Sequence, residues 1–540
     1  MSSREATRKR RGDAILFLFL CVYIGGSFGI WRITRPAEEV PPTEQEQLAD
    51  EFETESQYDH QITMCLDAFS GYAIARSPGF KKALMKIGVK LILVDDLADY
   101  STRMKRLMNG GFGGITCDIA MFPIGSFIVA GANQGYKNAR EFPARIMLLG
   151  DESTGADAIL AYAKGVSSLT DLDDDEGMFY AVANSPSEMQ ARVVTSTFNM
   201  LSLPDNPYTF RESMKDVFGD LKQADSTKPN AFALWEPFVS MAKQIPGVHV
   251  LTSTKEMRGW ILDSMVMRLK FMSEKPQLAS DITKAYLQAY YSYARTDAKL
   301  IKLVRKDAGS GADALSDEQA ADMVNGIKWI NTSENYAHFG ITKDVNVPVL
   351  EDMIANIGKV LVSSGKLARN PVEGQETGIY TDKILSGLHK ESFNPGVIKT
   401  QIADLKPNTE MAPVRHEAAL QSLTDRQWKQ LRPVGNLRVE DIVFSGGGTT
   451  LSRMSYPTLE DLASDLRSYP TYYVNVLGHT PSVGNPEANQ TLALGKAQAA
   501  VDFLIQNGVD AQRLHADTKP PDPQNPRTQK VSFQLGRAML

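Results

Sequence analysis

The chain has 540 residues, 43% of them hydrophobic and 23% charged, with a formal net charge of −6. That length exceeds what one hydrophobic core organises and implies several domains. The acidic balance offers no large basic surface, so nucleic acid is not an expected partner, and three cysteines are too few for a disulfide scaffold.

The first element is an apolar run, Ala14 to Trp31, preceded by Arg8, Lys9, Arg10 and Arg11. About eighteen residues at ~1.5 Å each make about 27 Å of helix, close to the thickness of a bilayer core. The basic flank predicts a cytoplasmic N-terminus and export of all that follows. Small-residue cleavage signals are poor, and Trp31 and Arg32 suit a retained interfacial anchor. Cys21 follows Leu18, Phe19 and Leu20, which argues against a lipoprotein signal. The expected order is a basic tail (1–13), a transmembrane helix (14–33) and an acidic, Pro-rich linker (34–59). Its acidity holds that linker away from an anionic lipid surface. The expected localisation is therefore a bacterial inner membrane, single-pass, with the bulk in the periplasm.

Residues 60–250 alternate short apolar runs with amphipathic stretches. Strands are predicted at 62–66, 89–94, 117–122, 144–150, 178–183, 231–235 and 248–252, with helical spacing between them, as at 80–87 and 101–109. Such alternation predicts parallel sheets with helices on their faces, and ligands beyond the carboxyl ends of the strands. The residues there are Asp67 to Tyr72, Asp95-Asp96, Phe122 to Ser126, Asp151 to Asp157 (leading into a helix), Asn184 to Glu188, and Trp235-Glu236-Pro237. Hydroxyls at helix N-termini serve either as caps or as a polar cradle, and convergence of several such loops favours the cradle. A second seam lies near Asn394 to Pro413, followed by a short helix (416–431) and a compact unit from about Leu437.

In LDAFSGY, DIAMFPIGSF, ESTGADAILA, GVSSLTDL, ANSPSEMQAR and ALWEP the segment 60–394 resembles periplasmic substrate-binding proteins of the nitrate/sulfonate/taurine type. WINTSENYAHFG and VLEDMIANIGKVLVSSGKL fit the family's helical return. The resemblance implies a two-lobed α/β fold of type II, with lobe one at 60–150 and 252–394, lobe two at 151–251, and ligand held between lobes that close by hinge motion. The implied contacts are Asp67, Phe69, Ser70, Tyr72, Ser126, Ser153, Ser187, Trp235 and Glu236. Asp67 and Glu236 would suit a cationic or zwitterionic small molecule, unless either pairs with a lobe-two arginine such as Arg192. The family places the first and third strands side by side. Cys117, starting its strand, would then stand about 10 Å along from Cys65, beyond disulfide reach, and both are expected as free thiols.

From Val439 the order is a strand-like VEDIVFSGGGTTL, a helix TLEDLASDLRSYP, a strand YYVNVLGHT, a long helix ending in FLIQNGV, then DAQRLHAD and QKVSFQLG. With Gly478-His479-Thr480, Gly484, Asn489, Leu492 and Ala497 in register, residues 437–540 resemble the OmpA-like peptidoglycan-binding domain, an α+β unit; 395–436 is read as linker. In that family an Asp after the Thr and an Arg before the helix Ala clamp the diaminopimelate of the wall. Here Pro481 and Lys496 stand there, leaving Thr480, Asn489 and Lys496 as contacts and implying weak or altered binding.

There is no HExxH, no paired cysteine motif, no Gly-Lys-Ser/Thr after a glycine loop and no GxSxG. No enzyme, cofactor or metal site is expected. The leading expectation is a membrane-anchored solute-recognition protein that touches the cell wall and signals to a membrane partner within a transport or envelope assembly. Two alternatives remain: an envelope scaffold docking proteins through the binding-protein fold, and an ion-channel stator subunit. The stator reading is disfavoured because the only nearby acid, Asp13, lies at the membrane edge.

Overall fold

The computed structural model describes residues 58–309, 315–344, 347–396, 411–415, 420–521 and 530–538. The proposed membrane helix, its flanks and Cys21 lie outside these. Within them three sheets are formed, each covered by helices.

The first sheet runs in the order β11-β4-β10-β3-β1-β2, from β1 (His60–Leu66), β2 (Val89–Asp95), β3 (Ile119–Pro123), β4 (Ala144–Ser153), β10 (Leu262–Arg268) and β11 (Ile327–Trp329). Its inner strands are covered on both faces; β3 is buried at every residue, which is why it reads as a continuous apolar run. The second sheet has the order β7-β6-β8-β5-β9, from β5 (Asp157–Tyr162), β6 (Met178–Val182), β7 (Tyr208–Arg211), β8 (Asn230–Trp235) and β9 (Val248–Ser253). Its two faces alternate. Ile159, Ala161, Ala231 and Ala233 join the main core, while Ala158, Leu160, Phe232 and Leu234 form a separate cluster with Val217, Phe218 and Leu221. Two crossovers link these sheets, at 154–156 and 254–261, so the fold is a two-lobed, mixed α/β arrangement.

The sheets are not purely parallel. β1 pairs in parallel with β2 and β3, and β6 with β7 and β8, but β10 runs antiparallel to β3 and β4, and β5 antiparallel to β8 and β9. The antiparallel strands are those flanking the crossovers, where the chain returns to a sheet it has left. Residues after Asp157 form β5 rather than the expected helix. Ala-rich DAILAY has helical propensity, but pairing on both edges overrides it.

The third sheet, β12-β15-β13-β14, is made by β12 (Arg432–Asn436), β13 (Tyr473–His479), β14 (Leu514–Lys519) and β15 (Val531–Arg537). The helix Pro486–Gln506 packs on β13 and β14. The stretch 439–451 forms no strand, carrying a 3-10 turn at Ser445–Gly447 and an isolated bridge, Phe444 to Leu451, and the edge strand is instead β12, inside the segment read as linker. Pro433 is tolerated there because β12 is an edge.

Cys65 and Cys117 form a disulfide with Cα atoms 5.9 Å apart, contrary to the free thiols expected. The extrapolation fails because β3 begins only at Ile119. Residue 118 is a bend whose amide donates to Thr63 O (2.9 Å), and this brings Cys117 back beside Cys65.

Candidate binding site at the lobe junction

The turn after β1 forms one wall. Asp67 accepts from its own loop at Phe69 N (2.9 Å) and pairs with buried Arg103 (2.8 Å), which also holds Asp96. Arg76 donates to Phe69 O (2.8 Å) and pairs with Asp307, fixing the loop from behind. Phe69 meets the Tyr72 ring edge-on with centroids 5.2 Å apart, Ser70 Oγ donates to Met323 Sδ (3.5 Å), and the Tyr72 hydroxyl donates to Asp263 Oδ1.

Behind this wall lie three buried carboxyls: Asp151 near the end of β4 and Asp157 at the start of β5, which bound an inspected loop but were not among the expected contacts, and Asp263 near the start of β10, which the sequence reading did not name. Asp151 and Asp263 are register partners. Burial pushes Asp263 up to about 7, with Asp67 adding to the rise and the Tyr72 hydrogen bond opposing it. Burial also pushes Asp157 up to about 7, against the Ser153 hydrogen bond. Asp151 is raised well above the carboxylate range by burial, then by Asp263, Asp157 and Glu152.

The opposite side is a polar junction between lobes. Ser126 Oγ, in the first turn of the helix Ile124–Asn133, donates to Asn184 O at 3.0 Å. Lys366 reaches Asn184 Oδ1 (2.8 Å) and Glu188 (2.8 Å), while Arg192 pairs with Glu188 (2.7 Å) and donates to Ser364 O (2.8 Å). Arg192 therefore partners neither Asp67 nor Glu236. A pocket of about 360 Å³, counting the solvent at its mouth, opens here between Pro123, Ser126, Asn184, Glu188, Arg192, Trp260 and Lys366.

The other expected contacts have local duties. Ser153 Oγ donates to Asp157 (2.6 Å) and meets Thr254 Oγ1 (2.8 Å), joining the two crossovers. Ser187 Oγ accepts from Val182 N (3.1 Å). Trp235 packs on the second lobe-two cluster, and Glu236, raised by burial, accepts from Ser240 N and Oγ at 3.0 Å. Asp263 was missed because it interrupts the apolar run LDSMVM; a single carboxylate inside such a run is the available signal. Among the described residues no group of His, Cys, Asp and Glu is placed to hold a metal ion.

In the third domain, Thr480 Oγ1 donates to Lys519 O (2.9 Å) beside the β13–helix loop. Asn489 Nδ2 holds that loop through Val483 O (2.9 Å) and Pro481 O (3.2 Å). Lys496 is only 6% exposed, lies 5.4 Å over the Phe444 ring, and has its pKa lowered by burial.

Residues 443–532 match the model of the OmpA family. The same region is 35% identical over 86 residues to the probable lipoprotein YiaD of Escherichia coli, covering 16% of this chain and 38% of that protein. It is 36% identical over 73 residues to the peptidoglycan-associated lipoprotein of Agrobacterium fabrum, covering 14% of this chain and 41% of that protein. The chain thus spans about two fifths of these relatives. The lobed region is similar to the periplasmic aliphatic sulphonate binding protein SsuA of Escherichia coli, at 14% identity and TM-score 0.42, over 59% of this chain and 92% of that one. The two-lobed architecture rests on the strand order itself.

The C-terminal domain sits directly on lobe two and the second crossover. Asn199 N donates to Asn436 O (2.8 Å), Arg438 N to Thr197 O (2.7 Å) and Arg258 N to Ser468 O (2.7 Å). Tyr469 bonds Thr197 (2.8 Å), Tyr472 bonds Thr252 (3.2 Å), and Gly435 lies against the Phe198 ring.

Proposed function

We propose that this chain is an envelope recognition protein, held in the inner membrane by residues 14–33. On this reading the two-lobed module closes on a small molecule in the periplasm, and the OmpA-family domain contacts peptidoglycan. The single observation that carries it is the docking of that domain on lobe two beside the crossover, which ties wall contact and lobe closure into one body. The disulfide supports export, since such bonds persist in oxidising compartments. Lys496, buried over Phe444, is poorly placed to replace a guanidinium fork, so wall contact would fall to Thr480 and the loop that Asn489 positions. The direct Ser126–Asn184 and Lys366–Glu188 contacts favour a second reading, an envelope scaffold whose lobes stay shut.

Sedimentation of the purified chain with isolated peptidoglycan tests the wall contact. Retention above background, reduced at least about threefold in Thr480→Ala and Asn489→Ala proteins of unchanged Tm, is expected; background retention of the wild type rejects it. Protease added to spheroplasts should digest the region beyond residue 34, and protection would reject the topology.

A further inference from the structure

Asp67 and Glu236, the carboxylates whose charge first pointed to a cationic ligand, are both occupied, by Arg103 and by Ser240. Asp151 is not. Its side chain is fully buried, and neither carboxylate oxygen has a hydrogen-bond partner among the described residues. An orphaned buried carboxyl is costly, and structures rarely keep one without a use. Asp151 Oδ2 lies against the Ser70–Tyr72 turn, 2.6 Å from where a Cβ on Gly71 would stand, with the Phe69 ring on the same spot, so the missing Cβ at Gly71 lets the acid and that ring meet. Opposite it in the ladder is Asp263, whose only side-chain partner described is the Tyr72 hydroxyl, and Asp263 also pairs in register with Pro123, which lines the pocket. Trp260, another pocket residue, buries an indole N–H without an acceptor.

We infer that Asp151 and Asp263 are the recognition point for the ammonium group of a small organic amine, enclosed when the lobes close. This rests on the ligand-binding reading above and names its substrate class. The acceptors are oxygens without a competing cation nearby: Arg103 is taken by Asp67 and Asp96, and Arg192 and Lys366 are taken by Glu188. The Phe69, Tyr72 and Tyr286 rings around the acids suit the alkyl part and face of an ammonium compound. A metal ion is the less suitable cation, because no set of ligands for one is assembled among the described residues. An oxyanion would face two carboxyls and, among the described residues around them, no unengaged cation.

Thermal denaturation of the full chain with ethanolamine, putrescine, potassium nitrate, sodium ethanesulfonate or calcium chloride tests this, each against sodium chloride at equal ionic strength. An amine should raise Tm by about 2 °C or more at saturation, and Asp151→Asn should weaken its affinity about tenfold or more. Should that variant not fold, titration calorimetry of the wild type in phosphate and in PIPES buffer, neither of them a primary amine, serves instead. An ammonium that displaces a proton held on these carboxyls, which face Asp157, Glu152, Asp67, Tyr72, Tyr286 and Arg103, releases it to buffer, so the apparent enthalpies must differ between buffers. Stabilisation by the anions or calcium but not by amines overturns the amine assignment and leaves the recognition reading standing. An unchanged amine response in Asp151→Asn, or buffer-independent enthalpies, overturns the site. No response to any probe overturns the assignment and moves the molecule to the scaffold reading.

Discussion

Lobe two has two neighbours, and it meets them differently. Against lobe one it presents ion pairs and hydroxyls, Glu188, Arg192 and Asn184 to Lys366, Ser364 and Ser126, with buried acids beneath. Against the OmpA-family domain it adds backbone: two amide–carbonyl bonds around Phe198 and Leu437 and tight apolar packing at Gly435, with a third amide bond from Arg258 of the crossover, beside the Thr197–Tyr469 and Thr252–Tyr472 hydroxyl bonds and the Glu256–Arg537 ion pair. Polar contacts can be exchanged for water when a cleft opens at little net cost, whereas backbone bonds packed on aromatic rings cannot. On the proposed reading the first interface parts when the cleft opens and the second stays.

The largest expected effect tests whether lobe one is independently braced. The Cys65–Cys117 bond spans 52 residues, and its loss in a Cys65→Ser, Cys117→Ser protein should cost about 3–4 kcal/mol in urea unfolding. Without reductant, the unfolded wild type should show one reactive thiol; three would reject the bond. Next, Glu188→Ala strands Arg192 and Lys366 and should cost about 3 kcal/mol, with the loss confined to the lobe junction by hydrogen exchange. Gly435→Ala drives a methyl into the Phe198 ring and should cost about 2 kcal/mol, with exchange rising at Asn199 and Arg438 instead. If both variants loosen the same amides, the contrast between interfaces fails.

The smallest effect is on pH dependence. Asp157 and Asp263 keep their protons up to about 7 in the folded chain, whereas in the unfolded chain they lose them near 4. Between those values the unfolded state binds fewer protons, so this contribution to stability falls as pH rises, by at most about 1.4 kcal/mol per pH unit per group. Asp157→Asn should therefore flatten the fall in Tm between pH 5 and 7.5. An unchanged slope would remove the buried acid from the account.

Seven strands of the lobed region were legible as apolar runs, because buried strands in such sheets leave that pattern. The strands that escaped were β5, whose alanines read as helix, the short β7 and β11, and β10, whose run is broken by Asp263 and Ser264. The expected contact residues were chosen by position after strands, a rule that finds loops and not partners. It could not tell that Ser187 serves its own turn while Ser126 reaches across to Asn184. Arg103 lies on the helix expected at 101–109 but carried no signal of its own, and it claims Asp67. The cysteine pairing was lost to one bend at residue 118, since register extrapolated along an ideal strand has no term for it.

Distance measurements by pulsed electron resonance separate the two interfaces most directly. Spin labels would be placed on exposed positions Lys137 of lobe one, Lys222 of lobe two and Asp502 of the C-terminal domain, in a protein with Cys21 replaced by Ser. The 137–222 distance should be broad or long without added amine and short and narrow with putrescine, while the 222–502 distance stays single and unchanged. A 137–222 distance fixed under all conditions, or a 222–502 distance that moves with it, would contradict the division between a parting and a permanent contact.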